Sequence, residues 1–322
     1  MSKENFTKSL AILLVLFLFG GLAAAQKKDK KKKQDDKDVR TMTIPITILT
    51  KTELKEKRAE EFVEAGEITV NEDDEDQLIL SIRSVSSTPL SLAVLIQDDL
   101  SPAANLQLDS IKKFIKNLPK GSRVMVAYLR SGSTQIRQKF TEDLEQAADS
   151  IRIIAGSSVV APRSPYDGVY ETVKKFDALP TGRRAILLIS DGLDVSGGTV
   201  NLTPDSSVDL DRAILRAQRN GVAIYSFYAS ATLTEGGNTR LILNAQSSLN
   251  RLSNDTGGRA FFQGTFTAIS FDPFFRDLNL LLNRQFAITY LSTHMKKGYH
   301  KVRVTSTNPE IKIEHPKGYY YR

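Results

Sequence analysis

Four segments of this chain are near-continuous apolar runs short enough to be strands: LSLAVLIQ at 90–97, RVMVAYL at 123–129, RRAILLIS at 183–190 and VAIYSFYAS at 222–230. A strand with one wet face alternates apolar and polar residues, whereas a strand covered on both faces does not. Between the runs lie stretches with helical periodicity. In NLQLDSIKKFIKNL, Leu106, Ile111, Phe114, Ile115 and Leu118 share a face before Pro119 and Gly121 stop the helix. EDLEQAADSIRII, SPYDGVYETVKKFDAL, VDLDRAILRAQRNG, TRLILNAQSSLNRLSNDTGG and AISFDPFFRDLNLLLNRQ read as further helices, the last despite Pro273. TQIRQKFT and RAFFQ read as short strands. Alternation of this kind with short connections predicts an α/β fold, a doubly wound and mostly parallel sheet with helices on both faces.

The flanks read differently. TMTIPITIL, EITV and QLILSIRSV are strand-like around a charged, helix-like stretch ELKEKRAEEFVEA, and FAITYLST, HKVRVTST and IKIEHPKGYYY predict three more strands after Gln285. At the amino terminus, Lys3 and Lys8 precede the apolar run Leu10–Phe19, then Gly20-Gly21 and Ala23-Ala24-Ala25. This is the tripartite pattern of a cleaved export signal. The expected organisation is a signal peptide at 1–25, a disordered Lys-rich linker at 26–40 and a β-rich lead-in at 41–87. An α/β domain follows at 88–284, and a β segment at 285–322 packs with the lead-in. Export places the protein in a periplasm or outside the cell; the alternative is a membrane anchor formed by an uncleaved signal. No second apolar stretch approaches spanning length, so no integral span is expected after cleavage.

The chain holds 44 Lys+Arg against 37 Asp+Glu, a formal charge of +7. Residues 27–40 alone carry eight basic and four acidic side chains, and residues 41–322 are left with 34 against 32. A near-neutral body has no footprint for nucleic acid. The basic segment 27–40 offers at most a peripheral contact with the envelope. With no cysteine in 322 residues, disulfides, thiolate metal sites, a lipoprotein anchor and cysteine nucleophiles are excluded. The three histidines, His294, His300 and His315, all lie near the carboxyl end, which makes a histidine-rich metal centre or a Ser-His-Asp hydrolase hard to build. No GxGxxG, GxxxxGK[ST] or GxSxG occurs where an enzyme of this fold class would carry it, so the chain reads as a non-enzyme.

Ligands of open parallel sheets sit at the carboxyl ends of the strands. The first buried run ends in Gln97-Asp98-Asp99-Leu100-Ser101 and the third in Ser190-Asp191-Gly192-Leu193-Asp194. Either acid alone is an ordinary turn residue; together they offer hard oxygen ligands suited to Mg²⁺ or Ca²⁺. Asp99-x-Ser101, ILLISDGLD, SPYDGVYETV, RAQRNGVAIYSF and LSNDTGGRAFF together resemble a von Willebrand factor type A domain over residues 85–275. The flanks, with a GY pair at Gly318-Tyr319, resemble bacterial exported proteins related to it.

The resemblance implies a metal-ion-dependent adhesion site with Asp99, Ser101 and Asp191 as ligands of Mg²⁺ or another divalent cation. It also marks departures. Ala103 stands where a second Ser is expected. The second loop, GSSVVAPRSPYDG, has no Thr; Arg163 falls near its place, with Ser157, Ser158 or Ser164 as substitutes. In a shifted register Asp98 takes the leading position. Two missing ligands suit Mg²⁺ poorly. The resulting expectation is an exported protein-interaction module with a degenerate site, binding a protein partner through a rim of Asp98, Arg163, Ser164, Tyr166 and Asp194 around it. The alternatives are a structural or assembly subunit of the envelope using its β flanks, and a Rossmann-like enzyme.

Overall fold

The computed structural model describes residues 38–51, 67–130, 133–154, 164–197, 203–231, 234, 238–262 and 270–321. The expected signal, the linker as far as residue 37 and the helix-like stretch 53–65 lie outside them. Among the described residues no helix is long and apolar enough to cross a membrane.

In chain order, β1 (Arg40–Thr50), β2 (Ile68–Glu72) and β3 (Glu75–Ser84) precede the α/β body. The body holds β4 (Leu90–Gln97), β5 (Arg123–Arg130), β6 (Ser133–Thr141), β7 (Arg183–Ser190), β8 (Val222–Tyr228) and β9 (Ala260–Phe261). Its helices are α1 (Leu108–Lys116), α2 (Leu144–Asp149), α3 (Pro165–Val173), α4 (Val208–Asn220), α5 (Thr239–Asp255) and α6 (Asp272–Asn283). β10 (Gln285–Ser292), β11 (Gly298–Ser306), β12 (Ile311–Glu314) and β13 (Gly318–Tyr321) follow.

The body is built on a sheet of order β6-β5-β4-β7-β8-β9, parallel except for the β5–β6 edge pair. All eight residues of β4 are buried, as its unbroken apolar run requires. Leu92, Val94 and Ile96 face one way, into a core shared with α1, α2 and α6. Ala93 and Leu95 face the other, against α3, α4 and α5. Pro273 sits in the first turn of α6, where its missing N–H has no partner to lose, so the helix tolerates it. α4 is bounded by the Ser207 hydroxyl, which accepts from Leu210 N, and by Gly221 at φ +60°. Several of the predicted helices are shorter than their periodicity suggests; the one expected over 164–179 is α3 followed by a 3₁₀ turn at Lys174–Ala178. α1 is preceded by a 3₁₀ turn at Pro102–Gln107, and the helix expected over 142–154 is only α2.

The flanking strands form a second sheet, order β12-β1-β10-β3-β2-β11-β13, in which every neighbouring pair is antiparallel. β1 is an inner strand held between β10 (Ile44 opposite Ile288) and β12 (Ile48 opposite Ile313). Ile44, Ile46, Ile48, Val70, Ile288, Tyr290, Val302 and Val304 make its core. The segment 311–321, expected as one strand, is two. β12 ends at Glu314, and Pro316, which has no N–H for a ladder, makes an isolated bridge with Thr256 at the end of α5. Arg183, at the start of β7, ties the two sheets together. Its guanidinium donates to Gln285 Oε1 (2.8 Å) and to the carbonyls of Ser86 (2.9 Å), Thr88 (3.0 Å) and Leu282 (2.9 Å).

His315 marks the strand break. Its Nδ1 donates to the Pro316 carbonyl (2.9 Å) and its Nε2 accepts from Val304 N (3.2 Å), so both bonds need the neutral ring. Burial holds its pKa below the ordinary 6.5; the Pro316 bond opposes this, and the charges of Arg303 and Lys317 reinforce it. The unfolded ring therefore takes up a proton at a pH where the folded ring does not. Stability is expected to be full above about pH 6.5 and to fall as the pH drops through the lowered folded value. Urea unfolding at a series of pH values measures this slope, and His315→Gln is expected to flatten it; an unchanged slope in the variant would assign the effect elsewhere.

Candidate functional site

From β4 the chain runs outward to β5 and β6, then crosses back to β7 and continues to β8 and β9 on the other side. The connections leaving the ends of β4 and β7 thus diverge, which opens a crevice between them. Ile96 lies opposite Ile189, so the register sets Gln97-Asp98-Asp99 beside Ser190-Asp191-Gly192. The Gln97 side chain fastens the two ends: its Oε1 accepts from Ser190 Oγ (2.5 Å) and Asp191 N (3.2 Å). A third strand end joins them, because Ser101 N donates to the Ser230 carbonyl (2.8 Å) just beyond β8 and Leu100 bridges to Ala231.

The loop after β7 is held by its own side chains. Ser190 Oγ accepts from Gly192 N (2.9 Å) and Asp191 Oδ1 from Leu193 N (3.1 Å). Asp194 Oδ1 accepts from Ser196 N (3.0 Å) and Ser196 Oγ (2.7 Å), and its Oδ2 from Ser207 Oγ (2.5 Å), the hydroxyl that caps α4. Gly192 turns the chain at φ +72°; a Cβ there would lie 2.5 Å from Leu249 Cγ and 2.7 Å from the Ala245 carbonyl.

The structure brings Asp99, Ser101 and Asp191 to these adjoining strand ends. Asp191 is fully buried, Ser101 is buried, and Asp99 is half-buried. All three present oxygen, the donor type a hard divalent cation takes. Ser164 stands immediately before α3, and its buried Oγ has no hydrogen-bond partner among the described residues. Ala103 lies within the 3₁₀ turn and offers no ligand atom.

The residues expected at the rim are placed otherwise. Asp98 is 3% exposed, and its carboxylate takes both arms of Arg152, Oδ1 from Nη1 and Oδ2 from Nη2, each at 2.8 Å. Arg152 lies over the Tyr128 ring at 4.1 Å, while the Tyr128 hydroxyl donates to the Arg152 carbonyl (2.7 Å). Tyr166 is fully buried beneath the β7 loop, its hydroxyl donating to the Gly192 carbonyl (2.5 Å). Burial pushes this phenol well above its ordinary pKa, a hydrogen bond with Ser248 opposes, and the charges of Asp191 and Asp194 add to the rise. Asp194 and Ser164 are also buried. Burial therefore takes Asp98, Ser164, Tyr166 and Asp194 off the accessible rim, and Arg163, with Ser157 and Ser158, lies outside the described residues.

Sequence reasoning missed Gln97, Arg152, Tyr228 and Thr234. The Tyr228 phenol is raised by burial; a hydrogen bond with Thr234 opposes, and the nearby Asp191 charge adds. Gln97 alone carried a signal, as a polar residue closing an otherwise apolar strand.

No family model matches the chain, and no curated protein matches it. Among solved structures it is similar to an aerotolerance-related membrane protein from Bacteroides fragilis, 13% identical over 60% of this chain and 98% of that one, with TM-score 0.42. It is also similar to a von Willebrand factor type A protein from Catenulispora acidiphila, 10% identical over 82% and 75% of the two chains, with TM-score 0.43. A third is BatB from Bacteroides thetaiotaomicron, 16% identical over 43% and 66%, with TM-score 0.33. The chain's own strand order and antiparallel edge strand make the α/β body a mostly parallel sheet with helices on both faces, the fold class the sequence predicts.

Proposed function

We propose that residues 39–322 form a protein-interaction module of an exported protein, binding a protein partner at the carboxyl ends of β4, β7 and β8 through a degenerate metal-ion-dependent adhesion site. The observation that supports it is the convergence of the half-buried Asp99 with Ser101 and Asp191 at the switch point of the sheet, on loops fastened by Gln97 and Gly192. Asp99 opens the ligand loop, because the Asp98 carboxylate is taken by Arg152.

Were a divalent cation bound, Asp99, Ser101 and Asp191 would hold it, with Ser164 supplying the second loop's hydroxyl in place of the missing Thr. The cation would offer a carboxylate of the partner a coordination position. The absence of a side-chain oxygen at Ala103 argues for recognition that proceeds without it.

The test uses the exported fraction of the source cell as bait pool and the mature chain as probe. The degenerate reading expects Mg²⁺, Mn²⁺ and Ca²⁺ at millimolar concentration to leave the unfolding temperature unchanged. Partner capture is expected to weaken at least tenfold in Asp99→Arg with the fold intact. A metal-induced rise that disappears in Asp99→Ala overturns the degeneracy. Capture indifferent to Asp99→Arg moves the binding face elsewhere, and the β flanks as an assembly surface become the better reading.

A further inference from the structure

Away from the strand-end acids, where β4, β5, β7 and β8 begin, the two sheets leave between them a cleft of about 800 Å³. Small-molecule sites have volumes of this order and gather at such boundaries. Pro45 and Ala287, opposite one another on β1 and β10, line it from the second sheet. Val85 and Pro89, on the connection from β3 to β4, add apolar surface. Gly221 puts no side chain into it, and a Cβ there would meet nothing within 4 Å. Thr181 and Gly182, both exposed, leave it open to solvent.

Among the described residues, three arginines and no carboxylate line the cleft. Arg123 is matched, its Nη2 lying 2.5 Å from Glu142 Oε1. Arg183 and Arg184 are not. The bonds that Arg183 makes across the two sheets all end on neutral oxygens, the Gln285 amide and three carbonyls. Arg184 Nη1 donates to the Asn220 carbonyl (3.2 Å), and Nη2 to those of Leu179 (2.8 Å) and Pro180 (3.2 Å). Its Nε is buried with no hydrogen-bond partner. Of the five N–H groups on a guanidinium, these bonds use four on Arg183 and three on Arg184.

Two of the acceptors belong to helix ends, Asn220 closing α4 and Leu282 in the last turn of α6. Such an end offers about half a negative charge at most, which leaves a remainder on each arginine. Burial pulls the Arg183 guanidinium below its ordinary pKa, and what opposes this is the Tyr225 phenol, not a carboxylate. Interior charges in proteins are ordinarily paired, and here none of the described residues supplies the counter-charge. Successive strand residues point to opposite faces, so the two guanidiniums stand on either side of the start of β7.

We propose that the cleft binds a small organic anion, a carboxylate carried on an apolar acyl or aryl body. The carboxylate lies at the Arg183–Arg184 end, where planar guanidinium groups match its two oxygens. The body lies against Pro45, Val85, Pro89 and Ala287. A bare inorganic anion would leave that apolar wall wet, and a neutral ligand would leave the arginines unmatched. The site is remote from Asp99 and Asp191 and does not rest on their reading as a partner-binding face.

The test is calorimetric titration of the purified protein with decanoate and with 2-naphthoate. Acetate and 1-decanol are the controls for the charge alone and the apolar body alone. At least one of the two larger carboxylates is expected to bind at about one equivalent, and both controls at least about tenfold more weakly. Ala287→Trp, which fills the cleft from a partly exposed position on β10, is expected to abolish binding. Arg184→Gln is expected to weaken it about tenfold. Asp99→Arg is expected to change nothing, as is Leu78→Ser, which removes an exposed apolar side chain outside the cleft. Urea transitions check each fold, and Ala287→Trp decides if Arg184→Gln does not fold. Heat absent with both larger carboxylates overturns the site and leaves the cleft to a segment of a partner chain. Binding that survives Ala287→Trp, that is indifferent to Arg184→Gln, or that 1-decanol equals, overturns it too. Because Asp99→Arg is a separate arm, failure here leaves the strand-end reading untouched, and the converse holds.

Discussion

Arg152→Ala is expected to destabilise the protein by about 3 kcal/mol, read as a lower urea midpoint at unchanged slope. The size follows from what remains. The Asp98 side chain is 2% exposed, and without the guanidinium its charge stays buried. Removing one partner of a buried pair is far more costly than replacing both. Arg152→Lys is expected to recover little, since an ammonium neither binds both carboxylate oxygens nor lies flat over Tyr128. The double variant Asp98→Asn/Arg152→Ala is expected to be more stable than Arg152→Ala alone, because the amide carries no charge to strand. A loss below 1 kcal/mol in the single variant would mean that Asp98 finds other compensation. The prediction bears on the site as well: Asp98 precedes Asp99, so this ion pair sets the direction in which the loop leaves β4.

Gly258→Ala is expected to cost a similar amount, about 3 kcal/mol. An added Cβ lands on the Ile224 carbonyl, in the backbone of β8. β8 is paired on both sides, by β7 and β9, so the obstacle cannot step aside as a side-chain tip would. The contrast within the same molecule is Gly221, at φ +60° with open space where its Cβ would go. Alanine there pays only the backbone penalty, about 1 kcal/mol. Equal midpoints for the two variants would show that close approach, not conformation, had been misjudged at Gly258.

The α/β body was legible because burial on both faces leaves an unmistakable pattern. β4, β7 and β8 have no wet face, and the amphipathic stretches between them had nowhere to pack but on that sheet. Asp99 and Asp191 could be nominated because strand ends are readable and acids there are few. Which of two adjacent acids faces the crevice was not readable: Asp98 is committed by Arg152, fifty-four positions on, and no local pattern announces a contact of that range. Tyr166, expected on the rim, is buried instead, where its hydroxyl has a carbonyl to meet beneath Gly192. The reading of 311–321 as one strand failed at Pro316, whose isolated bridge to Thr256 interrupts the run. The contacts around Glu72 were not legible either, because they depend on strand pairing across the whole body. The register of β11 against β2 brings His300 beside Glu72 and Asp73, more than two hundred positions apart in the chain.

The placement of β1 has a consequence for how the chain is made. Its two neighbours, β10 and β12, follow the whole α/β body in sequence, and Thr47 is matched with Gln285 and Glu314. A nascent chain therefore carries β1 unpaired until the α/β body has been synthesised, while that body, whose strands find their partners nearer in sequence, has all it needs beforehand. Loop closure across the whole body is the entropic cost of the second sheet, and it comes after the body is made. An apolar strand that waits so long is open to pairing with another chain, which makes the interval between finishing the body and closing the sheet the period in which this protein is most exposed to aggregation.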